Sequence, residues 1–228
     1  MTTILDDYEE YAQLSLANYA KKDAARRNLL FNSVKDLPIE RVLDVGCGAG
    51  QDLMPFLENT SAFCVGIDTA RELAKVTSEV FGDEKRVAFV RSEGEKLPFA
   101  SESFDVILCR VAIPYMNNRD AIAEVGRLLK PNGVYLLKTH TPLFYFEMIK
   151  QRAKTLNPKQ LVFPLICLAG GVWHLLTGRR LQNGIWRGKE IFQTQGFLEK
   201  EFARNGLEIK GFLSDNTSLN QSCMVVKK

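Results

Sequence analysis

Three glycines at alternate positions are the residues of this sequence best suited to hold a ligand. Gly46, Gly48 and Gly50 follow the apolar run 42–45, which is typical of a buried strand. Glycine tolerates left-handed backbone conformations and lets the main chain approach a ligand where a Cβ would clash. Such a turn at the carboxyl end of a strand is where open α/β sheets bind nucleotides. The dinucleotide fingerprint would need a further glycine where this chain has Gln51, so the pattern predicts a nucleotide-containing ligand without specifying NAD.

A carboxylate follows the next predicted strand. Asp68 ends the apolar run 62–67 and lies 18 residues after Gly50. An acid at this point can accept hydrogen bonds from both hydroxyls of a ribose. Asp68 therefore fits a ligand that contains a nucleoside, and by itself it fits NAD as well as other nucleotides.

Strand and helix patterns alternate along most of the chain and would position these residues. The alternation predicts a mainly parallel, doubly wound α/β sheet. A helix at 195–206 and two further strands follow later, and a Lys-Pro-Asn-Gly turn signal stands at 130–133. The predicted strands are 41–45, 62–67, 86–90, 104–109, 134–138, 207–212 and 222–227, and the earlier helices are 5–30, 51–58, 70–81 and 119–129.

The run from Asp44 to Gly50, Asp-x-Gly-x-Gly-x-Gly, resembles the first motif of class I S-adenosylmethionine (SAM)-dependent methyltransferases. RSEGEKLPF (91–99), SFDVILCRVAIPYMNN and AIAEVGRLLKPNGVYLLK resemble the later motifs of that family in the correct order. The resemblance covers 41–138 continuously and 195–228 loosely. It implies a Rossmann-like, mainly parallel seven-stranded sheet with an antiparallel C-terminal hairpin and an inserted substrate cap. It also implies SAM as the cofactor and a methyltransferase of the small-molecule type.

The same resemblance assigns parts of the cofactor to particular residues. The glycine turn would line the methionine moiety, Asp68 the ribose, and Glu93 with the Gly94 N–H the adenine. The family more often has aspartate at that acid, and Glu95 is the alternative adenine ligand. The whole predicted cofactor-binding set is Asp44, Gly46, Cys47, Gly48, Gly50, Gln51, Asp68, Thr69, Glu93, Gly94 and Cys109.

Candidate catalytic residues follow the fourth and fifth strands. Holding two reactants in line can supply ~7–11 kcal/mol of a methyl-transfer barrier, and a general base adds ~100- to 10,000-fold. His140 follows the fifth strand and is either that base or a hydrogen-bonded structural histidine. Tyr115 and Arg110 can reach the same cleft. Arg110 would pair with an anionic group of the substrate or form an ion pair with Asp68 or Glu124.

One apolar run inside the predicted cap admits three interpretations. LVFPLICLAGGVWHLLT, 161–177, favours a hydrophobic lid over the active site. The alternatives are a membrane-surface element, with Arg179 and Arg180 at the headgroups, and an oligomer interface. We expect a single domain, 1–228, that comprises an N-terminal helical lid (1–37), a SAM-binding core (38–138), a substrate cap (139–190) and a C-terminal helix and hairpin (191–228).

Charge and cysteine usage bound the cellular context. Residues 1–137 contain 16 Lys/Arg and 21 Asp/Glu, a net charge of −5, whereas residues 138–211 contain 12 and 5, a net charge of +7. The basic part either meets something anionic or is a solvated basic face. Five scattered cysteines without metal-ligand spacing predict reduced thiols and no metal site. With an acidic, polar N-terminus that is unlike a signal peptide, the chain is predicted to be cytoplasmic.

These observations predict methyl transfer from SAM to a small or medium-sized, largely hydrophobic acceptor that can carry an anionic group. O-methylation is favoured over N- or C-methylation. A nucleic-acid acceptor is disfavoured, because residues 109–112 are Cys-Arg-Val-Ala rather than the Asn/Asp-Pro-Pro-aromatic turn of exocyclic-amine methyltransferases. The alternatives are a lipid-linked acceptor at the membrane surface, with peripheral membrane contact, and a non-catalytic SAM-binding protein. The oligomeric state is left open.

Overall fold

The computed structural model describes residues 14, 16–22, 24–154 and 157–228. Residues 1–13, 15 and 23 of the predicted N-terminal lid, which include Tyr8 and Tyr11, lie outside the described residues. Within the described part, residues 16–20 are helical, and two short helices follow, α1 (Ala24–Arg27) and α2 (Leu29–Asn32).

A seven-stranded sheet forms the centre of the molecule, in the order β3-β2-β1-β4-β5-β7-β6. The first five strands are parallel, and β7 runs antiparallel to both β5 and β6. The predicted doubly wound sheet with an antiparallel C-terminal hairpin is thereby confirmed. The strands are β1 (Arg41–Val45), β2 (Phe63–Asp68), β3 (Val87–Arg91), β4 (Phe104–Arg110), β5 (Leu129–His140), β6 (Leu207–Phe212) and β7 (Asn220–Lys227).

Both faces of the sheet are covered, as a parallel sheet requires. Leu43, Ile107 and Tyr135 project into one hydrophobic cluster, and Val42 and Val106 project into the other. Alternation along each strand thus supplies both cores. The helices are α3 (Met54–Asn59), α4 (Leu73–Phe81), α5 (Asn118–Leu128), α6 (Pro142–Ala153), α7 (Lys159–Thr177) and α8 (Gln195–Arg204), with 3₁₀ turns at Ile113–Tyr115 and Gly184–Trp186.

Strand β5 begins earlier than the sequence predicts. The turn expected at 130–133 lies inside β5, and the pairing with β4 shifts register there. Asn132 takes φ +64°, the left-handed region that suits a turn. The Lys130 ammonium lies 2.8 Å from the Asp105 carboxylate of β4. Residues 130–133 therefore form an irregularity inside β5, and pairing with β4 resumes at Val134 opposite Val106.

Candidate functional site

A cleft of about 1060 Å³ opens at the carboxyl ends of the parallel strands. The turn after β1, the last residue of β2, and the ends of β4 and β5 all contribute to its lining. This edge is the place where open α/β sheets bind ligands. From the predicted site residues the fold brings together Gly46, Gly48, Asp68, Thr69, Glu93, Gly94, Arg110, Tyr115 and His140.

The glycine turn after β1 has the backbone that its sequence predicts. Gly46, Gly48 and Gly50 take φ values of +76°, +55° and +78°. The amides of Gly46 and Cys47 both donate to the Ile67 carbonyl, at 2.8 and 2.9 Å, which fixes the turn against β2. A Cβ on Gly48 would meet no atom within 4 Å, so at this point bare backbone faces open space for a ligand.

Gly46 is the position at which a side chain is least tolerable. A Cβ there would overlap the Ala112 methyl after β4, and the φ angle already disfavours any other residue. We expect Gly46→Ala to weaken SAM binding by ~10-fold or more, since ~1.4 kcal/mol of strain in the binding loop has that effect. Calorimetric titration would measure it. Gly206→Ala is the matched control, because Gly206 has φ +69° but no atom within 4 Å of its Cβ position. Equal SAM affinity of the Gly46 variant and its parent would contradict the close approach.

Asp68 at the end of β2 organises the turn. Its Oδ2 accepts a hydrogen bond from the Gly48 N–H, and its Oδ1 accepts one from the Ala70 N–H, both at 3.0 Å. A carboxylate has about four lone-pair sites, so acceptor capacity remains on both oxygens. Because Asp68 also lines the cleft, that capacity is available to a ligand with two hydroxyls.

The two candidate adenine acids are placed differently. Glu95 accepts a hydrogen bond from the Asn117 N–H at 2.8 Å, at the start of α5. Glu93 is exposed next to Gly94. Both acids line the cleft, so the choice of Glu93 as the acid that meets adenine stays a prediction. A Cβ on Gly94 would lie 2.7 Å from the Met116 sulfur, so the backbone there is pressed against the cleft wall.

Part of the predicted cofactor set lies behind the cleft. Asp44 is only 2% exposed, and burial together with the nearby Asp52 carboxylate raises its pKa. A Cβ on Gly50 would lie 2.8 Å from Phe81, toward the protein interior. Burial raises the pKa of Cys109 to about 12. In the described structure the cleft lining does not include Asp44, Cys47, Gly50, Gln51 or Cys109.

Arg110 lines the cleft, but its ion pair differs from both partners that the sequence suggests. Its Nη1 lies 2.7 Å from Asp52 Oδ1, and both side chains are largely buried. Asp68 is engaged by backbone amides instead, and Glu124 pairs with Arg127 at 2.7 Å. The predicted pairing with Asp68 or Glu124 is therefore wrong. A guanidinium already paired inside the fold is a poor candidate for binding the substrate.

His140, the last residue of β5, has the environment of a neutral base. Its Nδ1 lies 2.7 Å from Asn220 Oδ1, directly opposite on β7. Because a carbonyl oxygen only accepts, Nδ1 carries the proton and Nε2 keeps its lone pair. The imidazole also stacks on Phe144, with ring centroids 3.8 Å apart. Burial lowers the pKa of His140; the hydrogen bond to Asn220 opposes this shift and Lys138 reinforces it.

The segment after α7 supplies cleft residues that sequence reasoning missed. Arg180, Arg187 and Glu190 line the cleft together with His140 and Tyr115. The chain reaches this place because the Ile191 amide donates to the Pro114 carbonyl at 3.0 Å and the Gln193 amide to the His140 carbonyl at 3.2 Å. These are contacts between distant segments. No local sequence pattern predicts these contacts, although the excess of arginine in this segment can be read from the sequence.

Two of these missed residues have unusual surroundings. Glu190 is only 6% exposed, and burial raises its pKa, which the nearby Tyr145 hydroxyl partly opposes. Arg180 donates from Nη2 to the Lys189 carbonyl at 2.7 Å. Its Nε is buried without a hydrogen-bond partner among the described residues. A buried N–H of a cation that has no partner is a place where an anionic ligand would be stabilised.

Helix α7 does not roof this cleft. The described residues of the cleft lining include none from 161–177, whereas several residues that follow the helix are present. The predicted hydrophobic roof is therefore wrong. The inner side of α7 packs on Tyr145 and Phe192 instead.

Comparisons with known proteins agree with the fold and the glycine turn. A methyltransferase-domain family matches residues 43–137. An uncharacterized methyltransferase of Bacillus subtilis, YcgJ, is 41% identical over 104 residues, which are 44% of this chain and 40% of YcgJ. The mouse tRNA N(3)-cytidine methyltransferase METTL2 is 30% identical over 180 residues, 74% of this chain and 41% of that protein. The chain thus spans about two fifths of the length of these curated relatives.

A solved structure extends the likeness to most of the chain. The S-adenosylmethionine-dependent methyltransferase from Mesorhizobium loti superposes with a TM-score of 0.60 at 14% sequence identity. The match covers 86% of this chain and 97% of the other. At this identity the likeness concerns the fold.

Proposed function

Since this chain belongs, through residues 43–137, to the class I SAM-dependent methyltransferases, we propose that it methylates an oxygen of a small or medium-sized acceptor that carries an anionic group. His140 is the observation that supports this proposal most. It is a half-buried imidazole whose pKa is lowered by burial, with one nitrogen held by Asn220, in the same cleft as the glycine turn and Asp68.

The cleft residues fit SAM in chemical type and in space. The bare backbone at Gly48 leaves room for the methionine moiety, Asp68 has acceptor capacity for the ribose hydroxyls, and Glu93 lines the cleft and would meet the adenine. Bound SAM supplies a methyl group that the sulfonium has already activated. The protein contributes position, which can supply ~7–11 kcal/mol of the barrier.

A general base matters most when the group to be methylated is a hydroxyl. A neutral hydroxyl is a weak nucleophile, and it must lose its proton as the oxygen–carbon bond forms. His140 Nε2 would take that proton, while Asn220 holds the opposite ring nitrogen and stabilises the imidazolium that forms. Tyr115 is 46% exposed in the same cleft and would orient the hydroxyl.

The acceptor end of the cleft favours an anion on the acceptor. Arg180 and Arg187 line it, and Arg180 has a buried N–H without a protein partner. Val111, Ala112 and Met116 are the apolar lining that a hydrophobic part of the acceptor would contact. An apolar substrate that carries a carboxylate or phosphate near its hydroxyl would interact with both the arginines and the apolar lining.

Replacement of Arg180 tests the anion site. We expect Arg180→Gln to raise KM for an anionic acceptor by ~10- to 150-fold, since a hydrogen bond to a charged group contributes ~1.5–3 kcal/mol. The Kd for SAM should stay unchanged. Arg179→Gln is the matched control, because Arg179 is exposed and outside the cleft lining. Equal effects of the two substitutions would show that only the general positive charge matters.

An acceptor panel with isotopically labelled methyl-SAM tests the function as a whole. Hydroxy acids and phosphorylated alcohols are compared with their neutral esters, with amines and with thiols. The proposal expects labelled methyl ethers from anionic hydroxyl compounds and little product from the neutral esters. Turnover of amines alone would refute O-methylation. Binding of SAM with no turnover of any acceptor class would favour the non-catalytic alternative.

A tRNA acceptor is the second candidate, and the mouse relative favours it. That tRNA methyltransferase aligns over 74% of this chain, beyond the SAM-binding core alone. Total tRNA therefore belongs in the same panel. Label in cytidine, with none in small molecules, would replace the first proposal by this one.

The cytoplasmic location stays a prediction, which the five buried, unpaired cysteines support.

A further inference from the structure

The outward face of α7 is apolar from Val162 to Leu176. Its exposed side chains recur at helical spacing and form one stripe, and two of them, Leu176 and Leu165, are 81% and 53% exposed. Pro164, Cys167 and His174 lie on the opposite, buried side. The stripe consists of Val162, Leu165, Ala169, Val172, Trp173 and Leu176.

A surface helix of a soluble domain normally presents polar residues to solvent. Between Leu161 and Gly178 there is no Asp, Glu, Lys or Arg. Further exposed apolar side chains stand nearby, Leu143 and Phe146 on α6, which packs against α7, and Ile185 after it. A row of exposed apolar side chains on a surface helix marks a contact with another apolar phase or molecule.

The helix lies on the domain and presents only one side outward. Its 19 residues, with a mean hydropathy of 1.6, would be long and apolar enough to cross a membrane. The inner side is occupied, however, because a Cβ on Gly171 would overlap the Phe192 ring and Cys167 is fully buried beside Tyr145. One free apolar side with charged flanks is the arrangement of a helix that lies in the plane of a membrane surface.

The charge of the residues around the stripe helps to decide which kind of molecule covers this face. Residues 139–190 contain 8 Lys/Arg and 2 Asp/Glu, a net charge of +6. Lys150, Lys154, Lys159 and Arg179 are exposed at the two ends of the helical pair. Two copies of this surface would repel each other, whereas a negatively charged bilayer would attract it. Apolar and cationic groups together therefore favour lipid over a second copy of the chain.

We propose that this protein docks peripherally on anionic lipid bilayers through the outward stripe of α7, with the flanking cations at the headgroups. Arg180 follows the end of the helix closely and lines the cleft, so docking would bring this side of the cleft toward the lipid headgroups. This proposal does not depend on the identity of the acceptor, since membrane binding is measured without turnover.

Vesicle binding by the full chain tests the proposal. We expect cosedimentation with phosphatidylcholine vesicles containing about 30% phosphatidylglycerol, weak binding to pure phosphatidylcholine, and loss of most binding at high salt. Val172→Glu/Leu176→Glu should lower the partition coefficient by about tenfold or more, because it removes apolar contact and adds like charge. Leu37→Glu/Phe212→Glu is the matched control, since both residues are exposed and apolar but lie outside the cap. Lys150→Gln/Lys159→Gln/Arg179→Gln should lower the partition coefficient as well.

Trp173 provides a local readout. The chain has two tryptophans, so Trp186→Phe leaves Trp173 alone, and its emission should shift to the blue when anionic vesicles are added. SAM titration and thermal unfolding check that each variant is folded. Undiminished binding by the glutamate pair, or an unshifted Trp173, would overturn insertion and leave only electrostatic adsorption. A stable dimer that the glutamate pair dissociates would assign the face to self-association instead.

Discussion

Replacing His140 by glutamine is expected to lower kcat by ~100-fold or more and leave the Kd for SAM unchanged. The reason is that the imidazole acts on the acceptor proton in the transition state, a contribution of ~100- to 10,000-fold for a general base. Glutamine retains a side-chain amide in place of the ring but cannot take up a proton near neutral pH. Steady-state kinetics with the acceptor found in the panel, together with calorimetric titration of SAM, measures both quantities.

The pH profile gives an independent readout of the same residue. Burial and Lys138 lower the pKa of His140 despite the hydrogen bond to Asn220. The basic form therefore predominates at a lower pH than for a free histidine, whose pKa is about 6.5. We expect kcat to rise with pH and the midpoint of that rise to lie below that value. In the glutamine variant this rise should disappear.

Two further variants separate catalysis from structure. Asn220→Ala should reduce kcat, because it removes the partner that holds the proton on Nδ1. The reduction should be smaller than in His140→Gln, because the imidazole itself remains. His174→Gln changes the other histidine, which lies outside the cleft lining, and should leave kcat unchanged in folded protein. Nearly full kcat with a flat pH profile in the His140 variant would leave proximity as the mechanism and reduce His140 to a structural residue.

Replacing Asp68 by alanine is expected to weaken SAM binding by ~100-fold or more. The carboxylate orders the glycine turn by accepting the Gly48 and Ala70 N–H groups at 3.0 Å, and it would also accept from the ribose. Each hydrogen bond to a charged group contributes ~1.5–3 kcal/mol, so losing two of them exceeds a factor of ~100. Calorimetric titration with SAM and with S-adenosylhomocysteine measures the change.

Asp68→Asn refines the test. Asparagine keeps one acceptor oxygen, so the turn is partly held and the loss of affinity should be intermediate. Asp83→Ala is the control, because Asp83 is an exposed acid in the turn after α4 and lies outside the cleft lining. Unchanged SAM affinity in the Asp68→Ala protein would show that the ribose assignment is wrong.

The sequence by itself determined the sheet and the nucleotide end of the cleft. Alternation of apolar residues and the order of strand and helix depend on neighbours within a few positions, so they can be predicted from the sequence alone. The same is true of Gly46 and Gly48, whose positive φ values follow from local turn geometry. Asp68, Arg110 and His140 were correctly placed at one edge, because each ends a parallel strand.

Only the tertiary structure decided which groups meet within that edge. Arg110 pairs with Asp52, 58 positions away, and Glu95 turns to the Asn117 amide. Arg180 and Glu190 enter the cleft because the segment after α7 folds back against the ends of β4 and β5. Such partners are chosen by distance and desolvation in three dimensions, and neither quantity is encoded in local spacing.

The apolar run 161–177 shows the same division most clearly. Its composition established that it must be covered by something apolar, but a buried lid, an interface and a membrane contact all share that composition. The fold speaks against the lid, since it packs Cys167 and Gly171 inward, leaves the stripe around Leu165 and Leu176 exposed, and keeps the helix out of the cleft. Membrane contact is our proposal for the exposed stripe. Hydropathy reports how much apolar surface a segment has, whereas the packing of the rest of the chain determines which side of it remains to be covered.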